Sequence, residues 1–200
     1  MTSIECVILE VADPASAERF YAEAFGSPSQ VRLRASDTPA TGFRGFTLSV
    51  TVSQPANVSA FVDAALAAGA TALKPAAKSF WGFGGVVQAP DGTIWKVATS
   101  SKKDTGPAAK EIGDLVLLLG VRDVKATKKF YADRGLAVGK SFGSKYVEFA
   151  TDSSPVKFAL YGHRALAKDA GVPEEGTGSH RLAIVGDAGA FTDPDGFTWE

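Results

Sequence analysis

Apolar and polar positions follow a strand-then-helix pattern at two places in the chain. The apolar runs "ECVILEV" at 5–11 and "DLVLLLGV" at 114–121 are typical of buried strands. Each leads to an aspartate, Asp13 or Asp123, that is suited to cap a helix, and a glycine follows where such a helix would end. The pattern predicts that both halves of the chain open with a strand and a helix.

The first half contains a second and longer pattern of this kind. Residues 46–52 alternate like a half-buried strand, and residues 57–70 have a helical pattern with Asn57 as its expected N-cap and Gly69 near its end. Three extended segments follow, at 70–80, 82–90 and 93–99. This half is therefore predicted to contain two modules, of which the first is shorter.

Each half closes with a related segment, which we call the first Pro-Asp-Gly unit (87–96, "VQAPDGTIWK") and the second Pro-Asp-Gly unit (191–200, "FTDPDGFTWE"). Both have a turn, a strand-like run and a tryptophan, but the last residue is Lys96 in one and Glu200 in the other. The polar stretch before the second half resembles a linker. We therefore predict two domains, 1–100 and 112–200, joined by a linker at 101–111.

Composition excludes several classes of protein. The chain has 200 residues, 45% of them hydrophobic, and a net charge of −1, so no basic surface for nucleic acid is expected. A single cysteine, Cys6, cannot form an internal disulfide, and no stretch has the roughly 18 consecutive apolar residues that a membrane span needs. We expect a cytoplasmic monomer or homodimer whose partner is a small molecule, and neither nucleic acid nor membrane.

The order of these motifs resembles the vicinal oxygen chelate superfamily. The chain has paired βαβββ modules, with "D…FY…G" after the first strand and "DPDG…WE" in the last strand. That superfamily includes glyoxalase I, extradiol dioxygenases, fosfomycin-resistance enzymes and bleomycin-resistance proteins. The resemblance covers essentially the whole chain and implies an α+β fold of two tandem domains, in which paired modules form cup-shaped mixed sheets with peripheral helices. It is specific for the fold and weak for function, because one fold hosts many activities.

The resemblance also implies where a metal could bind. The family holds a divalent metal through a histidine on an opening strand and a glutamate after the "DPDG" turn. In the first half these positions hold Cys6 and Lys96, so no metal is expected there. In the second half they suggest Asp114, His180 and Glu200 as ligands, a set that suits Fe, Mn, Zn or Ni. Each residue also has a structural alternative: Asp114 as a turn residue, His180 as a surface or capping residue, and Glu200 as a solvated carboxylate.

Four further residues are candidates for a ligand pocket. Trp81 and Phe83 are two positions apart in an aromatic, glycine-rich stretch, and Tyr146 and Glu148 share a face by the same rule. The alternatives are core packing for the aromatic pair and a solvent-facing glutamate. His163 has no partner at a useful spacing and is assigned to the surface.

An insertion at 162–179 contains a short helical pattern that ends at Gly171. It lies directly before the segment that carries His180, and such an insertion can cap a cup as a lid. The helix that normally follows that segment is missing, so the second domain is expected to be abbreviated.

Two functions remain open. The first is a metal-free protein that binds a small, partly aromatic or oxygen-rich ligand. The second is a metal-dependent lyase, isomerase or dioxygenase with its site in the C-terminal domain. Lys96 would then carry a fixed positive charge, paired with an internal carboxylate or holding an anionic ligand. No glycine-rich loop stands between a strand and a helix in phosphate-binding order, so nucleotides and flavins are not expected to bind specifically. Glutathione is not expected either, because the residues that contact it in the glyoxalases that the chain resembles have no counterpart in this sequence.

Overall fold

The computed structural model describes residues 2–151 and 153–200, and more of these residues lie in strands than in helices. The strands are β1 (Ile4–Val11), β2 (Val31–Ala35), β3 (Ala40–Gly42), β4 (Phe46–Thr51), β5 (Thr71–Ser79), β6 (Gly82–Gln88), β7 (Ile94–Thr99), β8 (Leu115–Val121), β9 (Val138–Phe142), β10 (Tyr146–Phe149), β11 (Val156–Gly162), β12 (Gly176–Gly178), β13 (Leu182–Gly186), β14 (Phe191–Thr192) and β15 (Thr198–Trp199). The helices are α1 (Pro14–Phe25), α2 (Pro55–Ala67), α3 (Val124–Ala132) and α4 (His163–Ala170). Within residues 2–151 and 153–200, no helix combines the length and the apolar character needed to cross a membrane.

Helix ends follow the predicted capping residues at α1 and α3. The Asp13 carboxylate accepts the backbone N–H of Ser16, and Asp123 accepts those of Lys125 and Ala126. Each bond satisfies donors that the first helical turn leaves without a partner. The prediction for α2 was wrong at its start: Pro55 begins the helix and Asn57 is buried inside the first turn.

Asn57 instead anchors the segment between the two halves. Its side-chain oxygen accepts the backbone N–H of Ala109, and the neighbouring Gln54 oxygen accepts those of Thr105 and Gly106. The predicted linker at 101–111 is therefore held against the start of α2 by side-chain hydrogen bonds.

Two large sheets each contain strands from both halves of the chain. The eight-stranded sheet has the order β5-β6-β7-β4-β8-β11-β10-β9, and β4 meets β8 in antiparallel register with Leu48 opposite Leu117. The five-stranded sheet has the order β14-β15-β13-β1-β2, and β1 meets β13 with Leu9 opposite Leu182. A short third sheet pairs β12 with β3.

This pairing corrects the expectation that each half closes its own cup. The boundaries 1–100 and 112–200 separate repeats in the sequence, whereas one sheet joins β4–β7 to β8–β11 and the other joins β1 and β2 to β13–β15. A local cause is visible where the linker ends: Thr51 and Asp114 exchange backbone and side-chain hydrogen bonds, which places β8 beside β4. The α+β class and the βαβββ modules are as predicted.

The main hydrophobic core lies between the two sheets and their helices. It includes one face of each central strand, from Leu9 and Leu48 to Leu117 and Ile184. The opposite face of the eight-stranded sheet carries a second cluster, in which Leu166 of α4 packs with residues of the sheet and of the segment before β4. We call this second surface the α4 face. The short helix before Gly171 is thus present, and it covers part of a sheet as a lid would.

Candidate functional site

His180 lies between β12 and β13 and uses both ring nitrogens within the protein. Nδ1 is 2.6 Å from the backbone oxygen of Arg44, and Nε2 is 3.1 Å from that of Asp195. The ring also stacks on Phe197 at 3.9 Å between centroids. A neutral imidazole donates from one nitrogen only, and here a carbonyl oxygen lies in front of each nitrogen and occupies the space that a metal would need, so His180 in this position ties three segments together.

Glu200 is engaged by a guanidinium. Its two carboxylate oxygens accept two hydrogen bonds from Arg34, at 2.8 and 2.6 Å, and Glu10 lies 3.6 Å from the same guanidinium. The Arg34 hydrogen bonds and charge hold the pKa of Glu200 below its ordinary value. Bidentate pairs of this kind are among the stronger charged hydrogen bonds. A cation already sits where Glu200 would have to bind a metal.

The same bond spans one face of the five-stranded sheet. Arg34 is on β2 and Glu200 directly follows β15, with β13 and β1 between them. Three strand spacings of about 4.8 Å separate the outer two of these strands by about 14 Å in a flat sheet. The two side chains therefore reach toward each other over the two strands that lie between them.

Asp114 lies on a different sheet from the other two predicted ligands. It directly precedes β8, is exposed, and its carboxylate approaches the Thr51 hydroxyl at 3.5 Å. Among residues 2–151 and 153–200, no group of three His, Cys, Asp or Glu side chains has the geometry to hold a metal ion. The predicted set of Asp114, His180 and Glu200 is therefore not brought together, because β8 pairs with β4 and not with β13. These residues do not fit a metal ion.

Lys96 ends the first Pro-Asp-Gly unit on the α4 face. Its Nζ donates to Asp169 of α4 at 2.7 Å, so the expected alternative of an internal carboxylate partner is the one found. Lys74 of β5 donates to the backbone oxygens of Lys168 and Asp169 at 2.9 and 2.6 Å. A cation at these last carbonyls also complements the negative end of the helix dipole. Two lysines from different strands thus fasten the end of α4.

Tyr146 and Glu148 share the α4 face, as predicted. The Tyr146 hydroxyl donates to Glu148 Oε2 at 3.3 Å, and Lys140 lies 3.6 Å from the same carboxylate. Burial, followed by the neighbouring Glu148 charge, raises the pKa of Tyr146 to about 12. The tyrosine is therefore a neutral hydroxyl near pH 7. Its ring meets Tyr161 edge to face at 6.0 Å.

Trp81 and Phe83 do not form the predicted aromatic wall. Trp81 is 82% exposed in the turn between β5 and β6, where it contacts the equally exposed Phe80 at 5.0 Å. Phe83 is on β6 and packs against the main core. The prediction failed because the chain turns at Trp81, so the alternation rule for strands does not reach it.

A cavity of about 970 Å³ lies on the α4 face, between α4, the β9–β10 hairpin and the end of β11. Its lining residues are Lys74, Val121, Arg122, Ser144, Lys145, Tyr161, Gly162, His163, Arg164, Ala165, Lys168, Asp169 and Glu174. A smaller cavity of about 360 Å³ adjoins His180 and Glu200. Size and the mixture of apolar, aromatic and charged groups make the larger one the candidate site.

His163 lies in this wall and not on the free surface. Its Nε2 is 2.9 Å from the backbone oxygen of Glu174, its Nδ1 is 3.3 Å from that of Gly120, and its ring packs on Phe43. It therefore resembles His180 in bracing two backbone segments. Cys6 is 1% exposed, and burial raises the pKa of its thiol, which fits a small buried apolar residue and not a nucleophile.

Comparisons with known proteins give the fold. No protein-family model and no curated protein sequence matches the chain. Glyoxalase I from Zea mays matches with a TM-score of 0.61 and 15% identity, covering 100% of this chain and 91% of that one. A candidate dioxygenase from Bacillus subtilis matches with a TM-score of 0.56 and 13% identity, covering 96% and 71%. The protein thus has the vicinal oxygen chelate fold over its whole length, as its sequence motifs indicated.

Proposed function

We propose that the protein binds a small, partly aromatic or oxygen-rich molecule in the cavity on the α4 face, and that it does so without a metal ion. The observation that carries this proposal is that the last residue of each Pro-Asp-Gly unit is already in an ion pair. Lys96 is paired with Asp169, and Glu200 is paired with Arg34. In both sheets an internal ion pair occupies the position that would have to be free for a metal.

The donor atoms of the C-terminal half support a metal-free site. A divalent cation requires several deprotonated or neutral donors that converge on one point. Both carboxylate oxygens of Glu200 accept from Arg34, and both nitrogens of His180 contact backbone oxygens. A bound metal would have to displace both Arg34 hydrogen bonds and the backbone oxygen beside one His180 nitrogen before it gained its ligands.

The cavity supports a small-molecule ligand. Its volume of about 970 Å³ is at the upper end of the roughly 300–1,000 Å³ that is usual for such sites. Tyr161 supplies an aromatic surface that is backed by Tyr146, and the Tyr161 hydroxyl can hydrogen-bond to an oxygen-rich molecule. Partial covering by α4 would shield a ligand from water on one side.

The alternative is a divalent-metal-dependent lyase, isomerase or dioxygenase with its site in the C-terminal half. Elemental analysis of the purified protein separates the two, followed by melting with a chelator and with added Fe(II), Mn(II), Zn(II) or Ni(II). We expect no stoichiometric metal and no shift. A metal at 100 times its dissociation constant would stabilise the fold by about 2.7 kcal/mol, which is readily measured.

A stabilising metal whose effect disappears in His180→Gln and in Glu200→Gln would overturn the metal-free proposal. Lys96→Glu is the matched variant in the first half. It places a second carboxylate beside Asp169 but adds no third donor, so we expect no stoichiometric zinc or manganese in it either.

A further inference from the structure

We infer that the cavity on the α4 face is an anion site, which takes a small molecule carrying a carboxylate or phosphate group on a planar body. This inference rests on the function proposed above and specifies the charge of its ligand. The starting observation is that five cationic side chains and two carboxylates line the cavity, in a chain with 21 cationic and 22 acidic residues overall. Positive charge is concentrated at this one recess.

Two of the five cations are already engaged. Lys74 donates to the last backbone oxygens of α4, and Arg122 pairs with Asp195 at 3.2 Å. One of the two carboxylates, Asp169, is neutralised by Lys96, which lies outside the lining. The charge available to a ligand therefore depends on the groups that remain.

Those groups are three cations and one carboxylate. In the part of the chain that the structure describes, the side chains of Lys145, Arg164 and Lys168 make no hydrogen bond, ion pair or ring contact, and Glu174 makes no ion pair. Arg164 and Lys168 are four residues apart and so lie on the same side of α4, where like charges repel. Lys145 faces them from the β9–β10 hairpin across the cavity.

An oxyanion between the hairpin and α4 would be attracted by all three. Arginine binds carboxylates and phosphates in a planar, bidentate manner, and lysine adds a point charge. All three side chains are exposed, so water screens each attraction, and the site depends on three cations acting on one ligand.

The planar shape of the ligand is inferred from the aromatic wall of the cavity. The Tyr161 ring lines the cavity, and Tyr146 supports it edge to face at 6.0 Å. In the described residues the Tyr161 hydroxyl has no hydrogen-bond partner, so it can donate to the same oxyanion. Val121 and Ala165 complete an apolar surface beside it.

The test compares benzoate and phenyl phosphate with benzamide, a neutral molecule of the same shape as benzoate. Affinities are measured by ligand-observed and protein-observed NMR at about 20 mM and about 300 mM salt. We expect at least one of the two anions to bind about tenfold more tightly than benzamide, and to weaken at high salt. The tighter of the two anions identifies the preferred oxyanion.

Equal binding of benzamide would overturn the anion inference and leave the proposed small-molecule function intact. Failure of both anions to bind would overturn the anion inference as well. Stoichiometric metal in the elemental analysis would overturn the metal-free function instead, so the two proposals fail on different results.

Substitutions then locate the site. In the double variant Arg164→Gln, Lys168→Gln we expect the anion affinity to fall about tenfold, since exposed pairs contribute up to about fivefold each. Lys145→Gln should lower it about threefold, while benzamide binding stays unchanged. Lys125→Gln is the matched control, because Lys125 is an exposed lysine of α3 outside the cavity. An equal loss in Lys125→Gln would mean general electrostatic attraction and would overturn the site.

Discussion

The first and second Pro-Asp-Gly units occupy equivalent places in the two sheets and end in opposite charges. The strand of the first unit, β7, pairs in parallel with β4, and that of the second, β15, pairs in parallel with β13. Lys96 meets a carboxylate from α4, and Glu200 meets a guanidinium from β2. Each partner comes from a distant part of the chain. The repeated unit therefore occupies the same place in both sheets. The charge at its end is neutralised by a side chain that lies outside the repeat.

Behind the closing residues, both units bind a tyrosine from the helix of another module. Tyr21 donates to Asp91 at 2.6 Å, and Tyr131 donates to Asp193 at 2.8 Å. The two aspartates are not at equivalent positions, because Asp193 precedes its proline and Asp91 follows its own. The same pairing of residue types is thus reached in two ways.

The second of these networks is the more complete one. The Tyr131 hydroxyl also accepts from Trp199 Nε1 at 3.1 Å, and Asp193 accepts the backbone N–H groups of Asp195 and Phe197. In the first unit Trp95 Nε1 is buried, and among the described residues it has no partner. Satisfied buried networks stabilise a fold, whereas a buried donor without a partner is costly.

The largest expected effect comes from Asp193→Ala. The residue is 5% exposed, and its removal leaves the Tyr131 hydroxyl and the Phe197 N–H buried, and the Asp195 N–H partly buried, without their acceptor. We expect the free energy of unfolding to fall by about 3–4 kcal/mol, measured by urea denaturation. Asp91→Ala, the matched change in the first unit, should cost about 1–2 kcal/mol, because its bonds are only partly buried. Equal losses would contradict the difference between the networks.

A second prediction concerns the two cups. Helix α4 covers part of the α4 face, and the Arg34–Glu200 pair crosses the corresponding face of the five-stranded sheet. Leu166 is fully buried, so Leu166→Ala should cost about 2–4 kcal/mol. Asp169→Asn should cost less than about 1 kcal/mol, since the Lys96–Asp169 pair is about a third exposed and is screened by water.

Denaturation and amide exchange of α4 measure both changes. If Asp169→Asn releases α4 as readily as Leu166→Ala does, then the ion pair and not apolar packing holds the helix in place.

Local features of the fold could be predicted from the sequence, because short-range chemistry determines them. The caps at Asp13 and Asp123, and the end of α4 at Gly171, depend on bonds and backbone angles within a few residues. The start of α2 was missed although a signal existed: Pro55 is suited to the first position of a helix, and Asn57 was preferred by its type alone.

Features that depend on distant pairing could not be predicted. The apolar pattern of β8 is compatible with several neighbouring strands, and only the fold selects β4. Arg34 and Glu200 are 166 positions apart, so no spacing rule connects them. Once Asp114 joins the eight-stranded sheet, the proposed ligand set is separated, although His180 and Glu200 matched the family's ligand types and Asp114 stood in a histidine position.

The smallest expected effect tests the charge that closes the second unit. Arg34 lowers the pKa of Glu200 in the folded protein, so folding favours the ionised carboxylate. Its contribution is present at neutral pH and is lost as the pH falls through the lowered pKa. Because the pair is about 40% exposed, Glu200→Gln should cost only a few tenths of a kcal/mol near pH 7. The difference from the wild type should shrink below about pH 4, measured by urea denaturation across pH. Glu18→Gln, an exposed glutamate of α1 without an ion pair among the described residues, should show no such trend. A difference in Glu200→Gln that grows in acid would mean that Arg34 does not stabilise the ionised carboxylate.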